Sequence, residues 1–565
     1  MTQDVSAAHP EAVAGDFSGV TYRYGDVTAR MDRDKAGRFT MTFQNHAARP
    51  VAPVEVVVVR AVGSRRYQQY LAEVGGALWR LPMAFHVEEQ RWFHMNGAFL
   101  TPDPDAAAGE GRSPGTIRPR FGGAAHDYDR HVTRWNDNCV FCHNVAPNPG
   151  TDLDTGAFRT TVAELGVACE ACHGPGAEHV RANGNPVRRY QLRDTAVADP
   201  TIVNPARLSP ARAADVCGRC HGQRISDDVA PFLAHGDPFV PGDDLALYSS
   251  PLWHDTPLGG DARAFATRFW DDGTARLTAY EYQGLLQSRC AQTGGLTCTS
   301  CHGMHDGDPR GQVRPAAAGD RACTGCHTGL AGADAAARHT RHRVDGPGAR
   351  CVSCHMPRIV YGVLDVHVSH RIELPDPQRA SATGRPDACT LCHVEQDRTW
   401  AIRERSRLWP SGPAQPSAAV AASSRQPAHE ETLAPRSAAF AGDPIGRAVA
   451  VDALGRAPWP ASASSSAGVV RARAALLVEV LAGDPYPAVR HLAARALVRL
   501  LGAEPGHDAA RACARRYDAT APAAARGAVV TALRRLLPIA DPEEDLTRIA
   551  QLRAQAREAD IDIGE

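Results

Sequence analysis

Lysine is all but missing from this chain of 565 residues. Of its 62 basic residues only Lys35 is a lysine, while alanine, glycine and proline abound. That bias reads as GC-rich coding rather than as chemistry. Methionine is scarce too, with seven residues, several of them outside the middle of the chain. No run of 18 apolar residues occurs, which excludes a transmembrane helix. The opening stretch, MTQDVSAAHPEAVAGDF, lacks the apolar segment of an export signal. A formal net charge of −1 excludes a general attraction to nucleic acid or to anionic membranes. The length suggests three or four domains.

What the chain has in quantity is Cys-x-x-Cys-His. Seven copies occur: Cys139, Cys142, His143; Cys169, Cys172, His173; Cys217, Cys220, His221; Cys298, Cys301, His302; Cys323, Cys326, His327; Cys351, Cys354, His355; and Cys389, Cys392, His393. The pattern reads as covalent attachment of c-type haem, which makes seven haems the expected cofactors. One helical turn presents both sulfurs to one porphyrin edge, and the histidine that follows falls below it as the proximal iron ligand. Zinc sites also use paired cysteines but do not demand a histidine after every second one. Thioredoxin-like motifs occur once or twice, beside a βαβ pattern. A disulfide framework suits a short secreted chain. Cys290 and Cys513 lie outside the motifs and read as small buried apolar side chains, with a disulfide between them left open.

The other face of each iron needs an answer as well. With a single lysine and few methionines, imidazole is the expected ligand, which stabilises ferric iron and predicts low potentials. Histidines near the motifs are the candidates: His94, His179, His235, His254, His305, His342 and His370, with His339 and His367 as rivals to His342 and His370.

The alternation in GVTYRYGDVTARM, GRFTMTFQ and VEVVVVRAV predicts a small antiparallel β domain over 16–100, behind a disordered or truncated start at 1–15. Residues 120–410 form the expected multihaem cytochrome c domain, irregular and mostly α-helical around seven haems. Residues 411–440, rich in Ala, Ser and Pro, read as a linker. In 441–560, GDPIGRAVAVDALGR and GDPYPAVRHLAARALVRL share an Asp-Pro turn and a helical Ala/Leu/Val stripe. They predict a C-terminal α-solenoid of HEAT-like repeats, against an ordinary helical bundle.

The blocks GDFSGVTYRYGDVTARM, QRWFHM, RWNDNCVFCH, CEACHGPGAEH, CGRCHGQR, LTCTSCHGMH, CVSCHMP and RPDACTLCH span residues 15–400. They resemble multihaem c-type cytochromes that carry a C-terminal repeat array, usually tetratricopeptide in type. CEACHGPGAEH is also similar to the block of the tetrahaem cytochromes of ammonia oxidisers and of hydroxylamine oxidoreductase. The resemblance implies a signal peptide and one more Cys-x-x-Cys-His ahead of Gly15–Phe17, so that Met1 would be an internal methionine and an eighth haem lost. It also implies a periplasmic or extracytoplasmic protein.

The expected function is electron transfer between donor and acceptor proteins through mostly bis-histidine haems, with the helical repeats docking a partner or a sister subunit. The alternative is a reductase or oxidase of a small nitrogen or sulfur oxyanion at one open-faced haem. The His221 haem would be the place for it, with Arg219 and Arg224 drawing in the anion or else holding haem propionates.

Overall fold

A computed structural model describes residues 2–47, 52–103, 119–122, 127–193, 198–410, 433–458, 463–503, 505–539, 542–559 and 561. An antiparallel sheet opens the chain. Its strands are β1 (Thr2–Asp4), β2 (Val20–Tyr24), β3 (Val27–Arg33), β4 (Phe39–Asn45), β5 (Val54–Val62), β6 (Tyr67–Val74), β7 (Ala77–His86) and β8 (Arg91–His94). Strands β2 to β8 run as a meander in chain order. Alternation drives it: Val27, Ala29 and Met31 of β3 and Phe39, Met41 and Phe43 of β4 all point inward. The turn between these two strands is closed by Asp34, which accepts from the backbone N–H groups of Ala36 and Arg38. Phe17 packs edge-on against Tyr70 and Trp92, so the sheet curls over its own core.

The first fifteen residues differ from expectation. β4 pairs with the first half of β5, and β1 pairs with the second half, Thr2 opposite Val62. Ala14 and Gly15 then donate to Gln68 and to the Tyr70 hydroxyl. The exposed half of a long strand is thus covered by the start of the chain, which removes a raw sheet edge.

The middle of the chain is built otherwise. Its longest helix, Arg398–Leu408, has 11 residues, and most segments are single turns or loops. At six of the seven motifs the histidine N–H donates to the carbonyl of the first cysteine, at 2.9–3.3 Å, the closure of one helical turn. The seventh motif, Cys351–His355, is itself a helical turn.

Beyond it the chain is helical: Pro444–Arg456, Ala463–Gly483, Pro487–Gly502, Asp508–Arg515, Ala523–Leu536 and Pro542–Arg553. Asp443 caps the first of these through the N–H groups of Ile445 and Gly446, with Pro444 in the first turn. Arg447, 1 % exposed, pairs with Asp484 at 2.8 Å and ties the two Asp-Pro turns together. The linker is shorter than expected. Pro435–Ala438 is already helical and Phe440 is buried; the part at 411–432 lies outside the described residues.

The helices do not form a detached arm. One apolar core runs from Phe93–Leu100, through Phe269, Tyr280 and Tyr361, into Val449, Leu477 and Leu497. The hairpin Arg358–Gly362 and Asp365–Val368 is the wedge. Tyr361 donates to Ala98 O, Arg66 pairs with Asp365, and Arg495 donates to Leu364 O.

Candidate haem-binding sites

No disulfide joins any described cysteine; Cys513 is buried and Cys290 half-buried. The fourteen motif cysteines are half-buried or exposed, and apolar surface around them is left uncovered. Fourteen of the sixteen exposed large apolar side chains among the described residues fall between Leu153 and Leu374, including Val180, Tyr190, Leu247 and Met304. Soluble proteins rarely leave that much apolar surface in one region without something to lie on it.

Four motif histidines face a second imidazole. His173 and His305 have ring centres 6.0 Å apart and planes 8° from parallel. His355 faces His339 at 6.1 Å and 11°. His393 faces His342 at 6.2 Å and 37°, and His302 faces His370 at 6.3 Å and 29°. The rings are too far apart to stack on each other and leave the width of a metal ion between them.

Their orientation is fixed from behind. Nδ1 of His173 lies 2.7 Å from Val203 O, that of His302 2.8 Å from Gly311 O, and that of His355 2.7 Å from Glu373 O. His342 does the same with Thr340 O at 2.6 Å. A carbonyl can only accept, so the ring proton sits on Nδ1 and Nε2 carries the lone pair that a metal needs. Trp409 donates to His339 O and so anchors that partner. These residues fit a porphyrin iron held between two imidazoles.

His143, His221 and His327 have no ring opposite them at such a distance among the described residues. Burial pushes the His143 pKa down to about 4. His221 instead has the Glu281 carboxylate beside it, Oε2 at 3.9 Å from Nδ1, and that facing carboxylate pushes the imidazole up to about 9. Of the other expected ligands, His179 is poised: Asp199 and Asn183 hold its Nδ1 at 3.2 and 3.1 Å. His235 ends a helix and His254 is exposed beside Asp255.

His94 faces none of the motif histidines among the described residues. It is 0 % exposed, stacked on Tyr24 at 4.0 Å with Tyr128 on the other side at 4.4 Å, and its Nδ1 accepts from Asn96 N–H. Its Nε2 is buried without a hydrogen-bond partner. His367 is likewise engaged, by Arg66 at 3.3 Å. Arg219 and Arg224 are also spent. Arg219 pairs with Asp237 at 2.9 Å, and Arg224 bonds Ser249 and lies over the Tyr282 ring.

Cysteines of different motifs are neighbours. Cys142 lies beside Cys220, Cys217 beside Cys298, and Cys323 beside Cys351. Cys301 and Cys326 interact, as do Cys354 and Cys392, and Cys172 feels both Cys217 and Cys220. Nothing in the sequence signals these neighbours, because they join turns up to 81 residues apart.

A separate cluster joins β7 to the helices. His86, Glu89 and His491 bring three ligand atoms within 4.8 Å of one another. Hydrogen bonding argues against a metal there. His86 Nδ1 accepts from Glu89 N–H at 3.2 Å and His491 Nδ1 accepts from Arg91 at 2.6 Å. The ring protons therefore sit on both Nε2 atoms, which face Glu89 at 3.6 and 3.5 Å. The cluster is a buried clamp. Burial pushes His86 down to about 4 and lowers His491 as well. Both are neutral in the fold, whereas an unfolded histidine titrates near 6.5. Their contribution is whole above about pH 6.5 and is lost as the pH falls toward 4, at about 3 kcal/mol for His86. The melting temperature is expected to drop across that interval, and a double His86→Gln, His491→Gln variant to show a shallower drop.

The family model for a doubled CXXCH motif matches residues 291–332, which hold the fourth and fifth motifs. The C-type polyheme cytochrome OmcC of Geobacter sulfurreducens is 27% identical over 212 residues, 36% of this chain and 24% of that protein. The chain therefore spans about a quarter of the length of the curated relative it matches. No solved structure matches. Among the described residues, no helix is long and apolar enough to cross a membrane. The doubled motif and the polyhaem relative support a multihaem c-type cytochrome.

Proposed function

We propose that this chain carries electrons between redox partners through seven c-type haems, most of them held between two imidazoles. The four facing imidazole pairs carry the reading. Two metal–imidazole bonds of about 2 Å each, plus ~1.1 Å from each ring nitrogen to its ring centre, place the centres roughly 6.2 Å apart. The measured separations are 6.0–6.3 Å. Each bound haem would supply an iron that cycles between two oxidation states.

The chain's own residues do the rest. His173 and His305, His302 and His370, His355 and His339, and His393 and His342 close both faces and leave no place for substrate. His143, His221 and His327 take their second ligands from among His179, His235 and His254, or keep one face open. The neighbouring cysteines string the motifs in the order His143, His221, His302, His327, His355, His393, with His173 branching at His221. Low potentials follow from paired imidazoles. An extracytoplasmic location follows from the chemistry of haem attachment.

The C-terminal helices serve as HEAT-like bracing in this reading. Their outer members, which expose Leu536 and Leu546, offer a face to a redox partner or a second copy.

The alternative, catalysis on a small nitrogen or sulfur oxyanion, rests on the lack of an imidazole opposite His221, and it loses Arg219 and Arg224 as anion contacts. Electron paramagnetic resonance of the ferric protein, together with turnover assays, separates the two. The conduit predicts at least four low-spin irons, complete reduction and reoxidation by external partners, and no turnover of nitrite, hydroxylamine or sulfite. Rapid turnover of one of these would overturn it.

A further inference from the structure

The imidazole of His221 differs from those of His173, His302 and His355 in what stands behind it. Those three give their Nδ1 proton to a neutral backbone carbonyl. His221 faces a carboxylate. Glu281 is held there deliberately. Its Oε1 accepts from Thr278 Oγ1 at 3.1 Å and from Ala279 N–H at 3.2 Å. Ala279 adopts φ +66°, a left-handed conformation that costs a non-glycine residue energy. Tyr282 N–H donates to His221 O at 2.9 Å and locks the helix Glu281–Leu286 to the motif. The other oxygen, Oε2, is buried without a hydrogen-bond partner and lies 3.9 Å from His221 Nδ1. A buried carboxylate oxygen left alone is costly, and the His221 ring nitrogen stands within ion-pair distance of it.

We infer that Glu281 is the positioning residue for His221: its carboxylate faces the Nδ1 proton as a charged partner and makes this imidazole the strongest donor of the set. The inference rests on His221 being an iron ligand. A carboxylate behind a metal-bound histidine raises the basicity of the ring, and a stronger donor favours the ferric state. The site at His221 then has the lowest potential in the chain. It is also where the branch through His173 meets the main line, so the junction becomes the last site to fill with electrons.

The test uses the haem-loaded full chain and follows every haem by potentiometric titration, with haem content measured by mass. Glu281→Gln keeps the shape and removes the charge. It is expected to retain seven haems and to raise the lowest midpoint potential by at least a tenfold change in the reduction equilibrium, about 59 mV for one electron. The other six should stay in place. Glu281→Asp keeps the charge and should move it less. A Cys217→Ser, Cys220→Ser variant should lose that same lowest potential from the titration. Seven haems with unchanged potentials in Glu281→Gln would overturn the inference, as would the loss of a different potential in the cysteine variant. A wild-type chain with no haem on Cys217 and Cys220 would instead remove the reading beneath it.

Discussion

Alanine in place of His305 is expected to turn one haem from low-spin to high-spin without disturbing the fold. The residue is exposed and its described contact is the ring of His173 across 6.0 Å, so its removal opens no core cavity. If the gap holds an iron, one axial imidazole disappears and water takes its place. A weaker ligand field gives a high-spin ferric signal, and loss of an imidazole that stabilised ferric iron raises that haem's potential. The measurement is the electron paramagnetic resonance of the oxidised protein beside wild type. The same substitution at His46, an exposed histidine next to β4 of the β sheet, is the comparison. Unaltered low-spin intensity in the His305 variant would refute the pairing with His173.

Expression in a host that cannot attach haem is expected to yield a chain whose middle does not fold. Fourteen large apolar side chains between Leu153 and Leu374 are exposed in the polypeptide alone. At ~1.5 kcal/mol or more for each one covered, the missing burial is on the order of 20 kcal/mol. A domain's whole net stability is about 5–15 kcal/mol. The β sheet, with its own apolar core around Phe43, Tyr70 and Trp92, needs no cofactor. Limited proteolysis should therefore cut between residues 150 and 390 within minutes and spare fragments from the sheet, whereas the haem-loaded protein should resist throughout. Equal resistance of both forms would show that side chains alone build the middle.

The sequence spoke clearly wherever structure is local. The alternation from Val27 to Phe43 announces strands because each inward residue is two positions from the next. Asp443-Pro444 announces a helix start because the cap is made by adjacent N–H groups. The facing imidazoles are the opposite case. His305 stands three residues after His302 yet faces His173, a turn 132 residues earlier. His339 and His342 look like rivals for one role, but both face motif histidines. Arg341 takes φ +58° and breaks the helix Ala333–Thr340 between them, which sends the two rings to different partners. His94 stands at a strand end in an aromatic context, and only the folded sheet shows Tyr24 and Tyr128 closing over it. The strand at Thr2–Asp4 was illegible for a similar reason, since its pairing partner is the uncovered half of β5.

The shared apolar interior of sheet, hairpin and helices has a mechanical consequence. Tyr361 and its neighbours join sheet, hairpin and C-terminal helices in one apolar cluster. Tunnelling rates fall steeply with gap width, so in the proposed conduit haems anchored to that interior would keep their spacing when crowded, tethered or placed in viscous medium. Only the encounters with outside partners would then slow with solvent drag.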